Sequence, residues 1–111
     1  MECKIKINNL DYAVKIIDWD DERLRMEDDK LHFGVTNMKD NEIYLANNLS
    51  EQTTTSTLIH EITHAYIDAY GMLQVCWDDE IIADFISAHL ENIIKTLEEI
   101  GDKMSKEKSN E

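Results

Sequence analysis

A segment near the middle of the chain holds two histidines, His60 and His64, four positions apart, with Glu61 directly after the first. On an α-helix, residues i and i+4 lie on one face, one turn apart, so the two imidazoles can bind the same zinc ion. Glu61 can reach a water on that metal and take its proton, as a general base does. The H-E-x-x-H pattern therefore predicts a zinc site with Glu61 as its catalytic residue.

A catalytic zinc usually has three protein ligands, so H-E-x-x-H alone is incomplete. Sixteen residues after His64 the chain reads E-x-x-x-D, and Glu80 and Asp84 share one face of a second helix. Glu80 can supply the third ligand, and Asp84 can accept the N–H of a zinc-bound histidine. An ordinary acidic, solvent-facing surface is the other interpretation of these carboxylates. The preceding H-E-x-x-H favours the metal site.

The helix that carries the histidines is predicted from its caps and its periodicity. It begins after Asn48 or Ser50, runs to about Tyr70 and stops at Gly71. The two histidines lie roughly opposite the middle of an apolar arc, so one face packs on the core and the other borders a groove. That arc is formed by Leu58, Ile59, Ile62, Ala65, Tyr66 and Ala69.

The second helix is predicted to begin near Asp78 or Asp79 and to end at about Ile100, before Gly101. The two acidic residues of E-x-x-x-D lie on a different face from its apolar arc. That arc is formed by Ile82, Ile86, Leu90, Ile93 and Leu97. Residues 102–111 are polar and charged, and we predict that they form a flexible tail.

The first part of the chain has the period of β-strands. Alternation and β-forming residues predict strands at 4–7, 12–17, 32–36 and 42–46, and the acidic stretch 18–30 is expected to be a loop with a helical turn. The expected fold class is therefore α+β. A small antiparallel or mixed sheet of three or four strands packs on the H-E-x-x-H helix and on the second, glutamate-bearing helix.

Length and composition limit the possible environments. The 111 residues include three glycines and no proline, which predicts one domain over residues 1–101 without a linker. A net charge of −13 repels phosphate backbones, so nucleic acid is not an expected partner. We find neither a bilayer-length apolar run nor a secretory signal, and Cys3 and Cys76 form no C-x-x-C pair. We therefore expect no membrane association and a cytoplasmic location.

H-E-x-x-H followed by E-x-x-x-D resembles the gluzincin clan of zinc metallopeptidases. The short chain and short spacing resemble the minigluzincins, and residues 43–49 leading into 57–61 resemble ImmA-type peptidases of mobile elements. The resemblance implies that His60, His64 and Glu80 bind one zinc ion per chain. It also implies that Glu61 is the general base and acid, and that Asp84 orients His60. In this family an extended peptide pairs with the edge strand, here expected near 32–36.

Two further histidines, His32 and His89, lie outside the two motifs. Larger gluzincins add a downstream Tyr or His that stabilises the oxyanion, and no residue of this chain is assigned to that role. His89 is expected on the far side of its helix from Glu80, where it is structural or exposed. His32 could approach the metal from the edge strand, although a lone strand histidine usually has a simpler role.

The resulting functional prediction is a zinc-dependent peptidase that hydrolyses peptide bonds in a peptide or protein substrate, whether latent or directed by a partner. One alternative is a zinc-binding but catalytically idle recognition or regulatory module. Another is a regulator that acts through acidic surface contacts without a metal. The intact Glu61 favours an enzyme, because it is dispensable for zinc binding and needed for turnover. The oligomeric state is left open.

Overall fold

The N-terminal hairpin follows from its alternating sequence. In the computed structural model, which describes residues 1–109, β1 (Glu2–Ile7) and β2 (Leu10–Ile17) pair antiparallel. The turn between them is formed by Asn8 and Asn9, whose φ angles of 50° and 66° are better tolerated by asparagine than by most residues. Alternate residues of β1 are buried on the face that meets the helices, namely Cys3, Ile5 and Ile7.

The sheet has four strands in the order β1-β2-β4-β3, which confirms the expected α+β class. β3 (Gly34–Asn37) and β4 (Glu42–Ala46) form a second antiparallel hairpin, and β4 pairs parallel with β2. A Lys15–Glu42 ion pair links the two parallel strands. β3 lies at the edge of the sheet and packs beside the first helix.

The first helix, α1 (Glu51–Ala69), has the ends that its sequence predicts. The Ser50 hydroxyl caps it by accepting the Thr53 N–H at 3.1 Å, and Gly71 follows it with a φ of 71°. Most of the expected apolar arc is buried against the sheet. Ile59 is the exception, because it keeps 44% of its surface exposed.

The second helix, α2 (Asp79–Ser109), is longer than predicted. The expected stop at Gly101 is wrong, because the helix continues through this glycine, whose intrinsic cost is only about 1 kcal/mol. Buried Ile100 and half-buried Met104 anchor the extension on the core, and a Glu99–Lys103 ion pair at 2.7 Å spans the glycine. The predicted flexible tail is therefore helical up to Ser109, and its last two positions lie outside the described residues.

The face that α2 buries is rotated from the predicted one. Phe85, Ile93 and Ile100 are buried, whereas Ile82, Ile86 and Leu90 are exposed. The physical reason is a polar contact at the helix interface: the Tyr66 hydroxyl lies 3.0 Å from the Asn92 carbonyl and 2.7 Å from the Thr96 hydroxyl. These polar groups are buried and need hydrogen-bond partners, so α2 is oriented to bring them together. That orientation turns part of the predicted apolar arc outward.

The segment between β2 and β3 is a loop with one short 3₁₀ turn (Glu22–Leu24), as expected. Leu24 is fully buried against the sheet face opposite the helices, together with Tyr44 and Ala46. The chain then reverses, with an isolated bridge between Arg25 and Leu31. This bridge holds the segment that leads into β3.

Two observations bear on the expected environment. Cys3 is buried in β1 and Cys76 is exposed between the helices, and no disulfide joins them. Over residues 1–109, neither helix has an apolar stretch long enough to cross a bilayer.

Replacing Gly101 or Gly71 with alanine tests where the two helices end. An added Cβ meets open space at both positions, so the change in stability reports the backbone conformation and not a steric clash. Gly101→Ala should raise the free energy of unfolding by about 0.5–1 kcal/mol, since Gly101 lies inside α2. Gly71→Ala should lower it by about 1–2 kcal/mol, because its φ is positive. Urea unfolding measures both. A loss of stability in Gly101→Ala would mean that α2 ends near Ile100.

Candidate metal centre

The two histidines of H-E-x-x-H converge on the exposed side of α1. The Nε2 atoms of His60 and His64 are 3.1 Å apart, and the two rings meet edge to face. Two nitrogens bound to one tetrahedral zinc, each at about 2.0–2.1 Å, lie about 3.3–3.4 Å from each other. The spacing of the pair is thus close to that of two ligands on one zinc ion.

Glu61 lies beside this pair, and a residue of the sheet holds its carboxylate in position. Only 7% of its surface is exposed, and its Oε2 is 4.0 Å from His60 Nε2. Its other oxygen, Oε1, is 2.9 Å from the Thr36 hydroxyl, which also lies 3.0 Å from the Glu61 main-chain carbonyl. Thr36 therefore fixes the carboxylate with one oxygen toward β3 and the other toward the histidines.

Gly34 allows β3 to approach α1 this closely. A Cβ at Gly34 would lie 2.6 Å from the Thr57 methyl and 3.0 Å from Cγ of Glu61, closer than packed atoms permit. Neither Gly34 nor Thr36 belongs to the site residues predicted from the sequence motifs. The sequence signal that could have indicated them is the two-residue period of a β-strand. It places positions 34 and 36 on the same side of a strand near the predicted site.

A cavity of about 230 Å³ opens between α1 and the edge strand. His60, Glu61 and His64 line it from the helix, and Gly34 and Thr36 line it from β3. Its remaining walls are the apolar Met26, Val35 and Met38, together with His32. The space is thus bordered by two potential ligands, one carboxylate and one further imidazole.

His32 also lines this cavity, and no specific role was predicted for it from the sequence. Its Nε2 lies 3.2 and 3.3 Å from the two carboxylate oxygens of Asp28. The Lys30 backbone N–H and the His32 ring both hold the pKa of Asp28 below its usual range, so Asp28 is ionised at neutral pH. An ionised carboxylate only accepts hydrogen bonds, so Nε2 is the ring nitrogen of His32 that carries a hydrogen here.

Glu80 and Asp84 are not brought to the cavity. Both side chains are exposed in the first turns of α2, and neither lines the cavity. At 100° per residue, Asp84 lies about 180° around the helix from Ile93, which packs on the core. Among residues 1–109, no group of three or more His, Cys, Asp or Glu side chains is arranged to hold a metal ion. The ligand role of Glu80 and the contact of Asp84 with His60 therefore stay predictions.

His89 has a structural environment. Its ring packs among aromatic side chains between the helices, with centroids 4.2 Å from Tyr70 and 4.8 Å from Phe85. Its buried Nδ1 has no hydrogen-bond partner in the described part of the chain. The side chain does not line the cavity beside His60.

Comparison of the chain with protein families, with curated sequences and with solved structures gives no match. The resemblance to gluzincins therefore rests on the residues of H-E-x-x-H and E-x-x-x-D themselves.

Gly34→Ala should lower the free energy of unfolding by about 1–3 kcal/mol, because the new methyl overlaps the Thr57 methyl. Thr57→Ser removes that methyl, so Gly34→Ala should cost less in a Thr57→Ser background than in the wild type. Chemical denaturation of the four proteins of this double-mutant cycle measures the difference. An equal cost in both backgrounds would rule out the close approach of β3 to α1 as the cause.

Proposed function

We propose that this chain is a zinc-dependent peptidase. The observation that carries the proposal is the 3.1 Å separation of the His60 and His64 Nε2 atoms, with the Glu61 carboxylate beside them at one cavity. Two neutral imidazoles at this distance are a donor set that suits zinc, and a neighbouring carboxylate is the group that hydrolysis needs as a base. In this proposal, His60 and His64 hold one zinc ion per chain.

A bound zinc ion would act as a Lewis acid toward the carbonyl of a peptide bond. The chain itself contributes the proton transfer. Glu61 takes a proton from the attacking water through the oxygen that faces the histidines, and returns it to the leaving nitrogen. Thr36 keeps the other oxygen engaged, so the carboxylate does not have to reorient between the two transfers.

An extended peptide is the substrate that suits the neighbouring strand. Within residues 1–109, β3 pairs only with β4, so its outer edge offers backbone groups to another strand. Because Gly34 and Thr36 line the cavity, a peptide added to this edge would run past Glu61 and the histidines. These features support peptide hydrolysis over hydrolysis of a compact small molecule.

A zinc-binding but catalytically idle module is the second candidate. The observation that favours it is the exposed position of Glu80, outside the cavity. With two histidines alone the zinc site is incomplete, and a partner that completes it would control activity. The same observation is compatible with a latent enzyme, so metal binding and turnover have to be measured separately.

The purified protein should bind about one zinc ion per chain, because the His60 and His64 Nε2 atoms, 3.1 Å apart, are close enough to share one. Metal analysis should find little zinc in the His60→Ala, His64→Ala double variant. Glu61→Gln should keep the metal and lose cleavage of an unstructured substrate such as casein, since the amide cannot act as a base. Full zinc occupancy in the double variant would contradict the site. Zinc binding without cleavage by the wild type would favour the idle module.

The third ligand can be identified by comparing Glu80→Ala with His32→Ala in chelator competition. If Glu80 binds the metal, Glu80→Ala should weaken zinc affinity by more than about 100-fold, and Asp84→Ala by about 10–100-fold through the loss of an orienting partner. His32→Ala should then have little effect. The reverse order would assign the third position to His32, which already lines the cavity.

A further inference from the structure

The polar groups that line the cavity beside the proposed metal centre already have partners within the protein. One carboxylate oxygen of Glu61 accepts a hydrogen bond from Thr36, and the other faces His60. His32 Nε2 is hydrogen-bonded to Asp28 at 3.2 Å. Once the two histidines of H-E-x-x-H hold a metal, the side chains left to contact a bound substrate are therefore the apolar ones.

Two methionines, together with Val35, form the apolar part of the lining. Met38 follows directly after β3 and is half-buried. Met26 belongs to the loop before β3, where its main-chain carbonyl accepts the Asp29 N–H at 2.8 Å. Although its backbone is held in this way, 49% of its surface is exposed. An apolar side chain exposed at the rim of a cavity is stabilised when another apolar group covers it.

The chemistry of these walls indicates which substrate side chain the cavity accepts. A methionine side chain is unbranched and polarizable, so it adapts to aliphatic side chains and makes favourable contacts with aromatic rings. Among residues 1–109, the lining includes no Lys or Arg, and its one carboxylate, that of Glu61, is already engaged by Thr36. A charged substrate side chain would therefore leave water without a free partner in the cavity, which costs free energy.

The size of the cavity limits how much of a substrate it can hold. Its volume of about 230 Å³ is below the roughly 300–1,000 Å³ that is typical of pockets for drug-sized ligands. It therefore suits one side chain of a peptide, while the rest of the peptide lies along the edge of β3.

We propose that Met26 and Met38 determine substrate specificity, and that the cavity takes an apolar side chain from a residue next to the bond that is cleaved. Leucine, methionine and phenylalanine belong to this class. The proposal rests on the proposed peptidase function, because it names the substrate class of the same site.

The test compares four N-acetylated amino-acid hydroxamates that differ only in the side chain, namely those of glycine, leucine, aspartate and lysine. The hydroxamate group binds the zinc ion and brings the side chain beside it, so the measurement requires no turnover. Calorimetric titration of the zinc-loaded protein gives each affinity. The leucine compound should bind at least about tenfold more tightly than the glycine compound, because one methylene in an apolar pocket is worth about tenfold or more. It should also bind more tightly than either charged compound.

Substitutions of the two methionines locate the side chain in the cavity. Met38→Lys and Met26→Lys should each lower the ratio of leucine to aspartate affinity by at least about tenfold, because the new ammonium attracts the aspartate carboxylate. Met26 is half exposed, so the second variant is expected to fold even if the first does not. Leu10→Lys is the matched control, because Leu10 is 41% exposed, lies on β2 and does not line the cavity. It adds the same charge and should leave the ratio unchanged.

Equal binding of the glycine and leucine compounds would overturn the proposal, because it would mean that no side chain enters the cavity. Tighter binding of a charged compound would show that the substrate class is wrong. An unchanged ratio in both methionine variants would place the side chain elsewhere on the protein. A wild type that binds no zinc would overturn the proposed function and this assignment with it. Zinc binding and a preference for leucine without cleavage would support the specificity and contradict only the hydrolysis.

Discussion

The arrangement of the cavity depends on the close approach of β3 to α1. Because Gly34 has no side chain, the strand comes near enough for the Thr36 hydroxyl to reach both the carboxylate and the carbonyl of Glu61. The same approach leaves Glu61 almost completely buried while its helical neighbours, His60 and His64, stay exposed. One contact between a strand and a helix thus separates the proposed roles, with the base fixed by the sheet and the ligands open to solvent.

Much of the fold could be predicted from the sequence because its signals are local. The two asparagines of the first turn, the serine cap of α1 and the glycine after it each act within a few residues. The pairing of His60 with His64 is equally local, since the i,i+4 geometry of a helix is enough to bring them together. The parallel pairing of β2 with β4 was not specified, because no local signal determines which strands become neighbours.

The errors concern α2, whose position depends on contacts far away in the sequence. Gly101 by itself predicts a helix stop, yet the packing of Ile100 and Met104 on the core outweighs its weak helix propensity. The rotation of the helix brings the Thr96 hydroxyl and the Asn92 main-chain carbonyl to the Tyr66 hydroxyl, and the apolar arc of α2 does not reveal these hydrogen bonds. This rotation turns Ile82, Ile86 and Leu90, which were predicted to be core residues, toward solvent. A helical period defines two faces, and tertiary contacts select the one that is buried.

The parallel pairing between β2 and β4 has a consequence for how the cavity is assembled. The sheet consists of two hairpins, β1–β2 and β3–β4, each of which can form from residues close together in the chain. They are joined by the five parallel pairs from Ala13–Glu42 to Ile17–Ala46, and each pair connects residues 29 positions apart. Closing that long loop is the slower, entropically costly step. The two walls of the cavity, β3 and α1, both lie within residues 34–69, so they can come together before the N-terminal hairpin joins the sheet.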